Sequence, residues 1–210
     1  MAWDEALLRS MPQLRQPVLR LYSWSEPAAS FGYFQHYEEV ARTTPFRPLV
    51  RRPTGGGLVP HAADWTYALV IPAGHDWHKL RAEASYLRLH RWLQAAFELM
   101  GIPTNLAPEA RHQKPGCCFE GYERHDLLWH GHKIAGAAQR RTREGLLIQG
   151  SIQPPVTAWN RHAWHRALSA TASQLWPIRW QTFEPPDFVQ RLMQELVAVK
   201  YGRVEYHRQR

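Results

Sequence analysis

Two stretches of this 210-residue chain, and the lone cysteine pair between them, carry residue types and spacings that can do chemistry. In the run Lys133-Ile134-Ala135-Gly136-Ala137-Ala138-Gln139-Arg140-Arg141, a lysine at the edge of a strand is followed by small residues. That pattern sets an ammonium over a tight surface, where it favours a carboxylate, a phosphate or a developing oxyanion. Taken alone, Lys133 also fits an exposed strand lysine. The other stretch is Arg51-Arg52-Pro53-Thr54-Gly55-Gly56-Gly57-Leu58-Val59-Pro60-His61. Successive glycines cost chain entropy, but they permit positive φ and let a ligand lie against the main chain. The planar fork of an arginine such as Arg52 can bind phosphate, and His61 adds a titratable group. No Gly-Lys-Ser/Thr follows and the spacing is not GxGxxG, so neither standard nucleotide loop is present. A glycine-rich hairpin turn is the competing reading.

Cys117 and Cys118 are the two cysteines, and they are adjacent. Neighbours in sequence make a poor structural disulfide and there is no CxxC pair, which points to a reducing, cytoplasmic compartment. His130 with His132, and His162 with His165, lack a carboxylate or cysteine at zinc spacing, so no metal site is expected.

The elements that must position these groups follow from periodicity. Residues 2–10 read as a short helix with Ala2, Ala6 and Leu7 on one side. Residues 18–24 alternate as a strand, and a turn-rich patch around Pro27 and Ser30 leads to a short helix near 36–42. Strands at 48–50 and 65–71 bracket the glycine stretch. Residues 80–100 form the strongest helix, with Leu80, Ala84, Leu87, Phe97 and Met100 at helical spacing and Gly101 as its stop; His90 reads as a boundary residue. A long polar loop covers 102–125. A hairpin then turns at His130-Gly131, and a further strand covers 146–152. Helices are expected over 159–168 and 187–201, the second capped by Asp187 and ended by Gly202. Strands and helices mix without βαβ alternation, so the fold class is α/β (α+β), a mixed β-sheet flanked by helices.

The length fits one domain, residues 1–210, with a real core. No apolar run reaches the eighteen residues of a membrane span, and the first residues lack a signal-peptide pattern. The net charge of +8 is spread along the chain without a compact basic tract, so nucleic acid is disfavoured as a partner and an acidic protein or anionic small molecule suits it as well. Most of the ten tryptophans should be core or pocket walls.

The glycine stretch, the lysine stretch and Gln149-Gly150-Ser151-Ile152 together resemble the lipoate–protein ligase A and octanoyltransferase family, which shares its catalytic fold with biotin–protein ligases. Met1 to Leu8, Leu21 to Trp24 and Gly32 to Gln35 support the match, which runs in order from residue 1 to about 155. The resemblance implies a cleft for a medium-chain acyl group. Gly55, Gly56 and Gly57 would form one wall of it, and Trp24 would lie near it. Arg52 and the backbone through Gly57, Leu58, Val59 and Pro60 to His61 would match nucleotide-contacting positions. Lys133, with Gly136 and Ala137 behind it, would hold the reactive carbonyl. The implied partners are lipoyl domains of 2-oxoacid dehydrogenases or the glycine cleavage H protein, whose acidity suits steering by a basic enzyme. No tightly bound cofactor is implied.

Two branches of that family differ in chemistry. Ligases activate lipoate with ATP and Mg²⁺ and need no cysteine. One octanoyltransferase branch takes octanoate from acyl carrier protein through a cysteine thioester. Cys118-Phe119 matches its nucleophile position, so Cys118 and Lys133 are the candidate catalytic residues, with Lys133 stabilising thiolate and oxyanion. An inert, pocket-lining Cys118 is the other reading. His61-Ala62-Ala63-Asp64-Trp65-Thr66 lacks the Asp and Asn that ligases carry after the histidine, which favours the transferase branch. A ligase's accessory domain could come from a separate protein. Family members have a strand before the position of Met1, so that strand is either absent or encoded upstream. The reading from another class is a non-catalytic nucleic-acid-binding module, which would need neither the glycine loop nor Cys118 nor Lys133.

Overall fold

The computed structural model describes residues 1–111, 119, 121–155 and 159–209. Its centre is β5 (Trp65–Pro72), an eight-residue strand buried almost end to end. A continuous apolar run is what a strand covered on both faces requires. In chain order the elements before it are α1 (Ala2–Leu14), β1 (Val18–Tyr22), β2 (Ala28–Phe31), α2 (Tyr37–Thr43), β3 (Leu49–Arg51) and β4 (Val59–His61). After it come α3 (Asp76–Lys79), α4 (Ala82–Leu99), β6 (Asn105–Leu106), β7 (Leu127–Trp129), β8 (His132–Arg141) and β9 (Gly145–Ile152). The described chain closes with α5 (Arg161–Leu175), α6 (Asp187–Leu196), a π turn over Val197–Tyr201, and α7 (Val204–Arg208).

The large sheet has the order β1-β5-β9-β8-β7-β6 and every adjacent pair in it is antiparallel. Parallel pairing is confined to a small sheet, β3-β2-β4, where β2 runs parallel to β3 and antiparallel to β4. One apolar cluster joins Tyr67, Leu69 and Ile71 of β5 to Leu89, Leu93 and Phe97 of α4 and Trp164 of α5. A second joins Ala68 and Val70 of β5 to Ala6, Leu7 and Met11 of α1 and to Val189 and Leu196 of α6. The alternation of β5 side chains thus places α4 and α5 on one face and α1 and α6 on the other.

Several sequence expectations shift here. The patch around Pro27 and Ser30 bends as expected over residues 25–27, but from Ala28 to Phe31 it is strand β2, fully buried because it is the middle strand of the small sheet. The strands flanking the glycine stretch therefore do not form a hairpin; β3 and β4 each pair with β2 instead. The expected 80–100 helix is the single helix α4, which begins two residues later because Leu80 and Arg81 are extended and separate it from the short α3. Its buried face runs through Ser85, Leu89, Trp92, Leu93, Ala96 and Phe97, whereas Ala84 is exposed. Gly101 does sit at positive φ, 74°, just past the helix end. The turn at His130 and Gly131, φ 48° and 78°, joins β7 to β8, and β8 continues without a break through Gly136 to Arg141. Two positive φ values in a two-residue loop match the twist of the flanking strands. Asp187 is the first residue of α6 rather than its cap, which is Pro186.

Candidate active site

Lys133 is the second residue of β8, and its side chain is almost fully buried. Its Nζ lies 2.7 Å from Oδ2 of Asp126, which is itself completely buried. The Glu123 backbone N–H donates to that same oxygen at 2.7 Å, and the Tyr86 hydroxyl donates to the other, Oδ1. The Ala137 N–H in turn donates to the Tyr86 oxygen at 3.2 Å. An unpaired charge at this depth would be strongly unfavourable, so the pairing and the added donors are what let an ammonium reside here. Burial, and then the negative charge of Asp126, push the Tyr86 and Tyr67 phenols well above their ordinary range, so both stay protonated.

Gly136 shows why small residues follow the lysine. A Cβ there would come within 2.7 Å of Lys133 Cε, 2.8 Å of its Nζ and 3.1 Å of Asp126 Oδ1. The absence of a side chain lets the lysine fold back over its own strand. Lys133 Nζ also stands over the Phe119 ring, 4.9 Å from its centroid. Cys118, the residue before Phe119, and Cys117 lie outside the described residues. Asp126 and Tyr86 were not among the residues singled out from sequence. The only local sign was an acidic residue just ahead of the hairpin, and nothing in sequence brings Tyr86 of α4 to it.

His90 is fully buried beneath this cluster rather than at a boundary. Its Nδ1–H donates to the Tyr86 carbonyl at 3.0 Å, and its ring centroid is 4.1 Å from that of Tyr86. Burial holds its pKa down at about 4, so the ring is neutral.

The glycine stretch is fastened by Arg52, which is buried and turned back on its own loop. Nη2 donates to the carbonyls of Gly55 and Gly57, both at 2.7 Å, and Nη1 donates to Ser30 Oγ at 3.1 Å. Gly56, between the two carbonyls, has φ 83°, which glycine adopts without cost. Gly32 passes so close to the Gly56 carbonyl that any side chain at Gly32 would collide with it. A Cβ on Gly55, by contrast, would meet no described residue within 4 Å, so that side of the loop is open. Leu58 is buried against Phe31, Val40 and Leu49. Val59, Pro60 and His61 form β4, whose backbone pairs with Ser30, Ala29 and Ala28 of β2.

His61 is buried and hydrogen-bonded at both ring nitrogens, 2.7 Å from Ser30 Oγ at Nε2 and 2.8 Å from Asp64 Oδ2 at Nδ1. The indole of Trp24 stacks on its face, centroids 4.2 Å apart and planes 16° off parallel, and donates from Nε1 to Thr66 Oγ1 at 3.1 Å. Asp64 Oδ2 also accepts from Thr66 Oγ1 at 2.8 Å and from Ser151 Oγ at 2.7 Å. The predicted residues thus fall into two clusters. Trp24, Arg52, Gly55, Gly57 and His61 share one network, and Lys133, Gly136 and Ala137 share another. β9 connects them: Ser151, bonded to Asp64, is the cross-strand partner of Gly136, and Gly150 is that of Ala137. Arg140 Nη1 adds a bond from β8 to the Pro53 carbonyl at 3.3 Å.

The paired histidines form no such cluster. The His162 and His165 rings are 6.1 Å apart, and among the described residues no three His, Cys, Asp or Glu side chains converge as metal ligands. No helix among those residues is long and apolar enough to cross a membrane.

Known proteins resemble this chain in sequence and in fold. The model of the lipoyl protein ligase A/B catalytic domain matches residues 1–157. The octanoyltransferase LipM of Oceanobacillus iheyensis is 36% identical over 158 residues, which covers 72% of this chain and 58% of that protein. LipM of Staphylococcus aureus is 33% identical over 165 residues, covering 72% of this chain and 60% of its own length. The chain therefore spans about six-tenths of the length of the curated relatives it matches. Among solved structures, lipoate–protein ligase A bound with ATP superimposes with a TM-score of 0.82 at 18% identity, covering 99% of this chain and 92% of that one. A bi-partite lipoate protein ligase from Thermoplasma acidophilum, solved with its E2 lipoyl domain, gives 0.73 at 19% identity, covering 99% and 89%. At these identities the structures show a shared fold.

Proposed function

Because the chain belongs to the lipoyl protein ligase A/B catalytic-domain family, we propose that it transfers an octanoyl group to the acceptor lysine of lipoyl domains, with Cys118 as nucleophile and Lys133 as electrostatic partner. Residues 1–210 act as one catalytic domain in this reading. The observation that carries it is the setting of Lys133: a buried ammonium held by Asp126 and standing over the ring of Phe119, the covalent neighbour of Cys118. The similarity to octanoyltransferases at 33–36% identity favours transfer over ATP-dependent ligation.

The chemistry balances in two steps. The sulfur of Cys118, having lost its proton, attacks the carbonyl carbon of an octanoyl thioester on acyl carrier protein. A C–S bond to the enzyme forms, the donor C–S bond breaks, and the donor thiol leaves with a proton. The acceptor lysine, as the free amine, then attacks the enzyme thioester; an amide forms and Cys118 regains its proton. Each step passes through a tetrahedral oxyanion, and a fixed ammonium in a site with little water stabilises that charge more than solvent would. Asp126 holds the lysine in place, so little reorganisation is required when the charge develops.

The test is intact mass of the pure protein after incubation with octanoyl-acyl carrier protein, comparing wild type with Cys118→Ser. The reading expects a hydroxylamine-labile octanoyl adduct on wild type alone. No adduct, together with modification of a lipoyl domain only when lipoate, ATP and Mg²⁺ are supplied, would replace it with ligation.

A further inference from the structure

Ser30, His61 and Asp64 are aligned as a serine–histidine–aspartate relay, yet all three side chains are buried and Ser30 lies inside strand β2. A serine so enclosed is not a nucleophile for a protein-bound substrate. The proton inventory shows what the relay does instead. The Asp64 carboxylate only accepts, so the hydrogen between it and His61 sits on Nδ1. Arg52 only donates, so Ser30 Oγ accepts from Nη1, and a neutral His61 with its hydrogen on Nδ1 accepts the Ser30 hydrogen at Nε2. Of the two neutral tautomers, only the Nδ1–H form lets each link Arg52 → Ser30 → His61 → Asp64 run from donor to acceptor.

We infer that this relay is a positioning device, with His61 as the hub that couples the two walls of the acyl site and so sets which acyl chains fit. One wall is the glycine loop. Its shape depends on Arg52 bridging the Gly55 and Gly57 carbonyls, and Arg52 is oriented by Ser30. The other is Trp24, which rests on the face of His61 and is bonded to Thr66, a second donor to Asp64. Removing one member leaves a buried donor or acceptor without its partner, so the loop and the indole shift together.

The inference takes its substrate from the transfer reading, but its geometry stands apart from it, and the experiment separates the two. In the first arm, protein carrying ¹⁵N-labelled histidine and tryptophan is observed by NMR without substrate. His61, assigned by loss of its signals in His61→Asn, is expected as the Nδ1–H tautomer in wild type, with the Trp24 indole N–H displaced in Ser30→Ala and Asp64→Asn. An Nε2–H tautomer, or a Trp24 signal that ignores both variants, overturns the relay whatever the activity. In the second arm, acylation by six-, eight- and ten-carbon acyl carrier protein thioesters is compared among wild type, Ser30→Ala and Asp64→Asn. The expected result is a rise of about tenfold in KM for the preferred chain and a flattened length profile, with kcat within about threefold. A loss confined to kcat, with KM and profile unchanged, would mean the relay serves the chemistry and overturns the inference. An inactive wild type with the expected NMR signature sinks the transfer reading and leaves the relay in place.

Discussion

At the scale of single residues, the site rests on burying a lysine and an aspartate together. Lys133 and Asp126 stand 2.7 Å apart with almost no exposure, so each is the condition for the other. Lys133→Ala should destabilise the fold by about 3–5 kcal/mol, because it strands a buried carboxylate. The double variant Lys133→Met with Asp126→Asn removes both charges and should recover most of that stability in a urea melt. Transfer should remain down by about 10²–10³ in both, since neither has an ammonium for the oxyanion. Recovery of transfer by the double variant would dismiss an electrostatic role. His90 supplies a pH signature of its own. Burial depresses its pKa from the ordinary 6.5 to about 4, so between those values the unfolded chain takes up a proton that the folded one refuses. The stability this represents is complete above pH 6.5 and is lost as pH falls toward 4, at most about 3 kcal/mol. Relative to His90→Leu, wild type should therefore lose stability across that window, read as the difference between their melting temperatures.

At the scale of elements, strands β8 and β9 do the positioning, and their glycines each serve a different neighbour. Gly136 gives room to the buried Lys133 side chain and its partner Asp126. Gly150 gives room to the buried ring of Tyr67, which any side chain there would strike. Gly136→Ala should therefore push Lys133 away from Asp126, costing up to about 3–5 kcal/mol, as a broken buried pair does, and cutting transfer at least about tenfold. Gly150→Ala should instead cost about 1–3 kcal/mol, as overpacking of a closed interior does. Thermal melts beside single-turnover acylation distinguish the two, and an equal loss of transfer per unit of lost stability in both variants would refute the assignment. The small sheet is an equally local device: with β2 in the middle, it brings Ser30 beside His61 of β4 and carries Arg52 at the end of β3.

At the scale of the whole molecule, the +8 charge bears on partner encounter rather than on the chemical step. For an acidic lipoyl domain as acceptor, the second-order rate of transfer should fall steeply as salt rises from about 20 to 300 mM, while single-turnover acylation from a neutral thioester analogue changes little. A salt-independent transfer rate would remove steering from the account. The same scale decides how Glu5 of α1 is tolerated inside. Burial opposes its ionisation, but hydrogen bonds from Lys200 at 2.6 Å and Tyr201 at 2.5 Å outweigh that and hold its pKa below the ordinary value. The π turn after α6 is thereby tied to the first helix of the chain, across 195 residues of sequence.

The sequence by itself determined the parts of this protein that local chemistry specifies. The glycine loop, the lysine followed by small residues, the turn at His130-Gly131 and the stop at Gly101 are legible because backbone conformation or the loss of a Cβ restricts which residues fit. The α/β class and the family were equally legible, since both rest on patterns that run along the chain. Tertiary structure decided which groups meet. The β7–β8 hairpin sets Asp126 beside Lys133, but Tyr86 and His90 join them only because α4 packs on the sheet, and no periodicity reports a contact between residues forty apart. Ser30 lay in a stretch read as a turn, because four small or aromatic residues buried between two other strands show no alternation. Arg52, legible as a phosphate-binding fork, is turned instead onto its own loop, because the carbonyls of Gly55 and Gly57 meet it there at 2.7 Å. Hydrogen-bond partners across a fold are set by packing, and packing is a property of the assembled elements rather than of any one of them.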